Sequence, residues 1–236
     1  MKIMAERKRY LLFNKPFGVV SSFTDPDGHA TLKGYIDVPD VYPAGRLDLD
    51  SEGLLFLSND GPLMHALTDP KFEHTKTYFV QIEGEIPPDA IARLCAGVEV
   101  KGVMTRRCQA MLIPEPDLPE RTKAVTPHGP TCWLRIVLKE GKKRQIRHMT
   151  AAVGFPTLRI LRVAIGPLGI GDLKPGEWRE LTSVEVARLR ERPKSNAGRI
   201  SPGSPETGQG SKNRNGVRRT HGSGKRRSGE GGSMPK

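Results

Sequence analysis

Arg46 and Asp48 stand two residues apart in the run Gly45-Arg46-Leu47-Asp48-Leu49-Asp50-Ser51-Glu52-Gly53-Leu54-Leu55, where a polar turn leads into an apolar strand. Such a junction can present a cation and a nucleophilic carboxylate to the same ligand. The run also admits a metal reading, because Asp48, Asp50 and Glu52 alternate and could hold Mg²⁺. An EF-hand loop is excluded: the far-end glutamate is missing, the sole glycine is misplaced, and Leu54-Leu55 follows at once.

Three further segments carry candidate chemistry. In Gly141-Lys142-Lys143-Arg144-Gln145-Ile146-Arg147-His148-Met149, helical spacing sends Ile146, Met149, Thr150 and Val153 to the core. Arg144, Arg147, His148 and Ala151 then share another face. A helix with one solvated basic face is the plainer reading. Arg147 directly follows a core position, however, so it should be partly buried and want a carboxylate, and Asp48 is on offer. Lys76-Thr77-Tyr78 opens a strand with Tyr78 on its buried face, either as a packed core ring or as the wall of a site. Asn14-Lys15-Pro16-Phe17-Gly18 ends a strand in a Lys-Pro-x-Gly turn, ordinary unless Lys15 has a ligand. Gly166-Pro167-Leu168-Gly169-Ile170-Gly171 has neither dinucleotide nor P-loop spacing, and the six histidines are scattered without metal-ligand spacing.

The elements that must position these groups follow from periodicity. Strands are predicted over 10–14, 54–57, 77–83, 107–113, 132–139 and 160–165. In the clearest, Cys132, Leu134, Ile136 and Leu138 face one way and Trp133, Arg135 and Val137 the other. Helices are predicted over 63–67, from Pro87 to about Cys95, over 142–153 and over 183–190, with a Pro-rich loop at 114–130. Irregular alternation and tight turns predict an α+β fold, a mixed and largely antiparallel sheet with flanking helices and a central cleft.

Charge is unevenly spread along the 236 residues. Residues 191–236 hold eleven Lys/Arg against three Glu and no Phe, Trp or Tyr, so most of the formal net +12 resides there. Such a segment cannot bury enough apolar surface to order itself and is expected to be a disordered basic tail. It follows a globular domain at 10–190 and a short basic segment at 1–9. A cationic tail favours a polyanionic partner, nucleic acid first, although it can also serve solubility alone. Cys95, Cys108 and Cys132 form no C-x-x-C pair and suit a reducing cytoplasm. The N-terminus is too polar for a signal peptide, and no apolar run approaches the ~20 residues that span a bilayer. The expectation is a cytoplasmic monomer.

In their order, Leu12–Val20, Gly45–Leu57, Lys76–Gly84, Gly141–Gly154 and Leu161–Leu168 resemble the RsuA family of pseudouridine synthases, over about residues 10–182. Gly-Arg-Leu-Asp leading to Gly-Leu-Leu is the most specific part, and Ser51 stands where threonine is usual. The chain leaves no room for the N-terminal S4 domain of most members, and Gly154–Arg159 and Gly176–Arg179 also resemble the compact branch. The resemblance implies the pseudouridine synthase fold and isomerisation of specific uridines in ribosomal RNA, with the large-subunit (23S) rRNA as expected partner and no cofactor or metal. It implies Asp48 as nucleophile, Tyr78 as the aromatic of the uridine pocket, and Arg147 as the partner of Asp48. Whether Tyr78 also acts as a base stays open. Arg46 matches the arginine that enters the RNA stack, and Lys15 and the Leu161–Gly166 strand match motifs that shape the site. Lys15, Arg144 and His148 are further expected RNA contacts. The chief rival is a noncatalytic RNA-binding module for ribosome assembly.

Overall fold

A computed structural model describes residues 7–191. The expected tail and the first six residues lie outside the described residues. The strands are β1 (Tyr10–Lys15), β2 (Tyr42–Pro43), β3 (Glu52–Ser58), β4 (Lys76–Glu83), β5 (Glu99–Val100), β6 (Val103–Met104), β7 (Gln109–Ile113), β8 (Thr131–Leu138), β9 (Thr157–Ile165), β10 (Leu168–Gly169) and β11 (Trp178–Glu180). The α-helices are α1 (Gly61–Thr68), α2 (Pro88–Ala96), α3 (Gln145–Ala152) and α4 (Ser183–Arg190). The main sheet runs β11-β1-β3-β9-β4-β8-β7, with β2 beside β3 and β10 beside β9. Every pairing in it is antiparallel except that of β3 with β9. The mixed, largely antiparallel α+β fold is as predicted.

The two ends of this sheet are buried differently. In β1 and β3, consecutive apolar residues serve opposite faces: Leu11, Phe13, Leu55 and Leu57 pack on Leu32, Ile36 and Val41. Leu12, Leu54 and Phe56 pack instead on Leu63 and Leu67 of α1 and Leu189 of α4. A strand covered on both faces reads as an unbroken apolar run, as Leu54-Leu55-Phe56-Leu57 does. In β4 and β8, period-two alternation sends Tyr78, Val80, Ile82, Leu134, Ile136 and Leu138 to one face. Ala90 and Leu94 of α2 and Ile146 and Met149 of α3 cover it. Full burial of each such side chain is worth about 1.5–3 kcal/mol.

The halves meet along a short parallel seam, where Glu52 pairs with Leu161 and Gly53 with Arg162. Gly53 has φ +102°, and a Cβ there would lie 2.3 Å from the Arg162 carbonyl oxygen, so only glycine lets β3 and β9 approach this closely.

Some boundaries and elements differ from expectation. α3 starts at Gln145, not Lys142, because Lys142–Gln145 closes as a turn: the Gln145 N–H donates to the Lys142 carbonyl, and the Lys142 N–H to the Gln145 side-chain oxygen. Arg144 takes a left-handed conformation, φ 54°, so it stands ahead of the helix rather than on its face. β11, which pairs with β1 at one sheet edge, and the two-residue strands were not expected.

Candidate active site

The Asp48 turn is clamped through its backbone from both sides. Ser21 Oγ accepts the Leu47 N–H at 3.0 Å and donates to the Leu47 carbonyl at 2.9 Å. The Gly18 N–H reaches the Leu49 carbonyl at 2.9 Å, and the Ser51 N–H closes onto the Asp48 carbonyl at 3.0 Å. Leu47 itself is buried in the core under β4 and β8. The Asp48 backbone is thereby fixed, while its carboxylate accepts no hydrogen bond and joins no ion pair among the described residues.

Asp50 and Glu52 are committed elsewhere. Asp50 holds Arg144 Nη1 at 3.1 Å and Arg147 Nη2 at 3.2 Å, tying the approach to α3 onto the Asp48 turn. Glu52 receives Arg159 in a fork, Nε at 2.9 Å and Nη2 at 2.8 Å, a bidentate pair buried beneath the seam. The alternate carboxylates therefore do not converge on a metal. Among the described residues, ligand atoms gather only at Asp25, Asp27 and His29, which include none of this turn's carboxylates.

Asp48, Arg46 and Tyr78 line one cleft of about 200 Å³ with Lys76, Arg144, Lys142 and Arg162. Arg46 is exposed at the rim, and Tyr78 ends the buried row of β4 where that core opens into the cleft. Leu138, Ile146 and Ile160 supply apolar wall. Sequence reasoning thus has Asp48, Arg46, Tyr78 and Arg144 in one place.

Three expectations need correction. Arg147 makes its direct ion pair with Asp50 rather than Asp48, and also donates to the Asp50 and Thr157 carbonyls at 3.0 and 3.2 Å. Two residues along the turn, Asp50 faces α3 while Asp48 faces the cleft; Asp48 acts on Arg147 only at longer range. Burial lowers the Arg147 pKa from its ordinary value, with Asp50 and then Asp48 opposing that shift. Lys15 cannot meet RNA. It is 0% exposed, and its ammonium donates to the Pro16 and Val19 carbonyls, closing the Lys-Pro-Phe-Gly turn from inside. Burial lowers its pKa to about 8, against the pull of Glu52, Asp50 and Asp48. His148 is half-buried and does not line the cleft.

Sequence reasoning named no role for Ser21, Arg159 or Arg162, although Arg162 lies on the Leu161–Gly166 strand that it placed near the site. A serine clamp or a Glu–Arg fork joins residues 26 and 107 positions apart, which no local pattern reveals. Arg162 did leave a signal, a charge inside the apolar run Ile160-Leu161-Arg162-Val163.

Residues 9–152 match the family described as RNA pseudouridylate synthase. A Vibrio parahaemolyticus protein named ribosomal large subunit pseudouridine synthase E is 46% identical over 182 residues, 76% of this chain and 76% of its own length. A Xanthomonas campestris protein of the same name is 46% identical over 189 residues, 75% of this chain and 99% of its own. A solved structure described as a pseudouridylate synthase superposes with a TM-score of 0.65 at 28% identity, covering 78% of this chain and 74% of its own. With a match running unbroken from β1 through the Asp48 turn to the end of α3, the chain belongs to the RNA pseudouridylate synthase family, as a member of its RsuA group.

Proposed function

We propose that this protein isomerises specific uridines of ribosomal RNA, in the large subunit, to pseudouridine, with residues 10–190 as the catalytic domain. The observation that carries the reading is the contrast among three neighbouring carboxylates: Asp50 and Glu52 are held by arginines, while Asp48, in a cleft walled by Tyr78, has no partner among the described residues. The large-subunit assignment rests on the relatives named above.

The reaction breaks N1–C1′, turns the base and joins C5 to C1′, with no net change of oxidation state. An ionised carboxylate stabilises or captures the electron-poor C1′, as in glycoside hydrolysis. The target must first leave the RNA stack, at a cost of a few kcal/mol. Tyr78 gives the base a stacking surface, and exposed Arg46 is free to occupy the gap it leaves. Arg144 and Lys142 at the rim suit backbone phosphates.

Pseudouridine mapping across 16S and 23S rRNA tests this, in cells lacking the protein and complemented with wild type or Asp48→Asn. The expected result is one large-subunit position lost, restored by wild type only. Restoration by Asp48→Asn would leave the noncatalytic assembly role. Activity should persist in EDTA, apart from effects on RNA folding; abolition by chelator would favour a metal site. Deleting 191–236 should weaken RNA binding and flatten its salt dependence, and an unchanged salt slope would remove the tail from the RNA contact.

A further inference from the structure

In the same cleft as Asp48 stand two cations without counterions among the described residues. Lys76, first residue of β4, is 9% exposed, and among the described residues its ammonium has neither hydrogen bond nor ion pair. Arg162 of β9 is more deeply buried. Its Nε donates to the Leu54 carbonyl at 2.6 Å, and its Nη2 is buried without a partner among the described residues. Buried charges ordinarily come paired, because desolvation costs several kcal/mol per ion. Among the described residues the neighbouring carboxylates do not pair with them: Asp50 is on Arg144 and Arg147, Glu52 is on Arg159, and Asp48 joins no ion pair. Two adjacent unpaired cations in one cavity call for electron-rich oxygens from outside the protein.

Phosphate is the poorer fit. The space beside Lys76 and Arg162 is walled by Tyr78, Leu138, Ile146 and Ile160, which suits a flat ring better than a hydrated phosphodiester anion. Solvent-accessible cations for phosphates already stand at the rim, in Arg46, Lys142 and Arg144. We infer that Lys76 and Arg162 are the base-receiving end of the cleft, donating to the uracil oxygens and taking up the negative charge the ring carries once its bond to the sugar breaks. This rests on the uridine isomerisation reading. When N1–C1′ breaks, its electron pair stays on the uracil, spread over N1 and the two carbonyl oxygens, while Asp48 meets C1′. When C5 bonds to C1′, the carboxylate withdraws, the C5 proton departs and N1 takes one up. The cations hold the anion between those steps, when it has no covalent tether. Preorganised donors aimed at developing charge, in a site closed to water, are the strongest aid a cleft can give.

The groups facing Lys76 are Arg162 from β9, His74 ahead of its own strand, Tyr78 beside it, Lys142 and Arg144 from the turn before α3, and Arg46 and Asp48 in the same cleft. Burial, then Arg162, brings the Lys76 pKa down to about 8. Its charge, and any rate that depends on it, should fade above that pH. Lys15 titrates in the same region, so the profile must be compared with a variant in which only Lys76 has changed.

The test is pseudouridine formation by the full chain on unmodified large-subunit rRNA transcript, comparing wild type with Lys76→Met, Lys76→Arg and Arg162→Lys. Lys76→Met should lower kcat about 10²- to 10³-fold, the effect of losing one preorganised donor, with little change in KM. Its melting temperature should hold or rise, because a buried unpaired charge has gone. Lys76→Arg should recover most of the rate and abolish the decline above pH 8. Wild-type kcat in Lys76→Met overturns the assignment. So does a loss of rate that tracks a loss of melting temperature and is not recovered by Lys76→Arg, since that marks a packing role. Wild type that makes no pseudouridine on this transcript removes the isomerase reading itself, and this inference with it.

Discussion

The β1–β3 half of the sheet and the β4–β8 half hold the same site in different ways. The first is buried on both faces and contributes a turn whose backbone is clamped while one carboxylate stays free. The second is packed on one face and contributes the ends of its buried row, where Tyr78 and Lys76 run out of core and into the cleft. The difference separates two tasks. On the proposed mechanism, the group that meets one carbon atom hangs from the rigid half, and the groups that accept a turning ring lie at the margin of the other.

Asp48→Asn should mark the sharpest divide, with activity falling about 10⁴- to 10⁶-fold. Stability should shift by no more than about 0.5 kcal/mol, since the carboxylate has no partner to lose. A marked drop in the chemical-denaturation midpoint would mean that Asp48 is structural after all. Gly53→Ala should do the reverse and destabilise by about 4 kcal/mol or more, because the added methyl meets the Arg162 carbonyl and the backbone is left-handed. A folded variant of normal midpoint would refute the close seam. Glu52→Gln should cost about 3 kcal/mol by leaving the Arg159 guanidinium buried without its counterion. Equilibrium unfolding reads this directly, and a neutral result would say the fork is dispensable.

The smallest effect is in pH. Lys15 and Lys76 have folded values of about 8 against an ordinary 10.5. Above pH 8 the folded state sheds protons that the unfolded chain keeps, so stability rises with pH. Cys108, raised by burial from 9.0 to about 12, works the other way above pH 9, where only the unfolded chain ionises. The gain should therefore appear between pH 8 and 9, at about 1 kcal/mol or less per lysine. It should shrink in Lys76→Met; an identical slope there would place the titration elsewhere.

What could be read from the residues follows the same division. β4 and β8 alternate cleanly, so their faces, and Tyr78 among the buried residues, were legible from period alone. β1 and β3 were legible as strands but not as to what covers each side, because a run apolar at every position has no face to report. The Asp48 turn stood out by composition. Which of its aspartates meets Arg147 did not, because Asp48 and Asp50 lie two residues apart and only the turn's geometry decides between them. Lys15 misled for a related reason. A lysine beside a Pro-Phe-Gly turn looks solvated until the carbonyls of Pro16 and Val19 close around it. β11 and the two-residue strands exist through partners far along the chain, and their own sequences carry no signal.

The sheet ends at β7, whose outer backbone groups have no strand beside them among the described residues, and whose Met111 and Leu112 are 53% and 47% exposed. Such an edge is a template on which another chain could add a strand. Only five residues long, it is bracketed by Arg106-Arg107 on one side and Pro114 on the other. Charge repels an approaching edge of like sign, and proline offers no N–H to continue a ladder. This exposed border thus carries its own brake on the addition of a further strand.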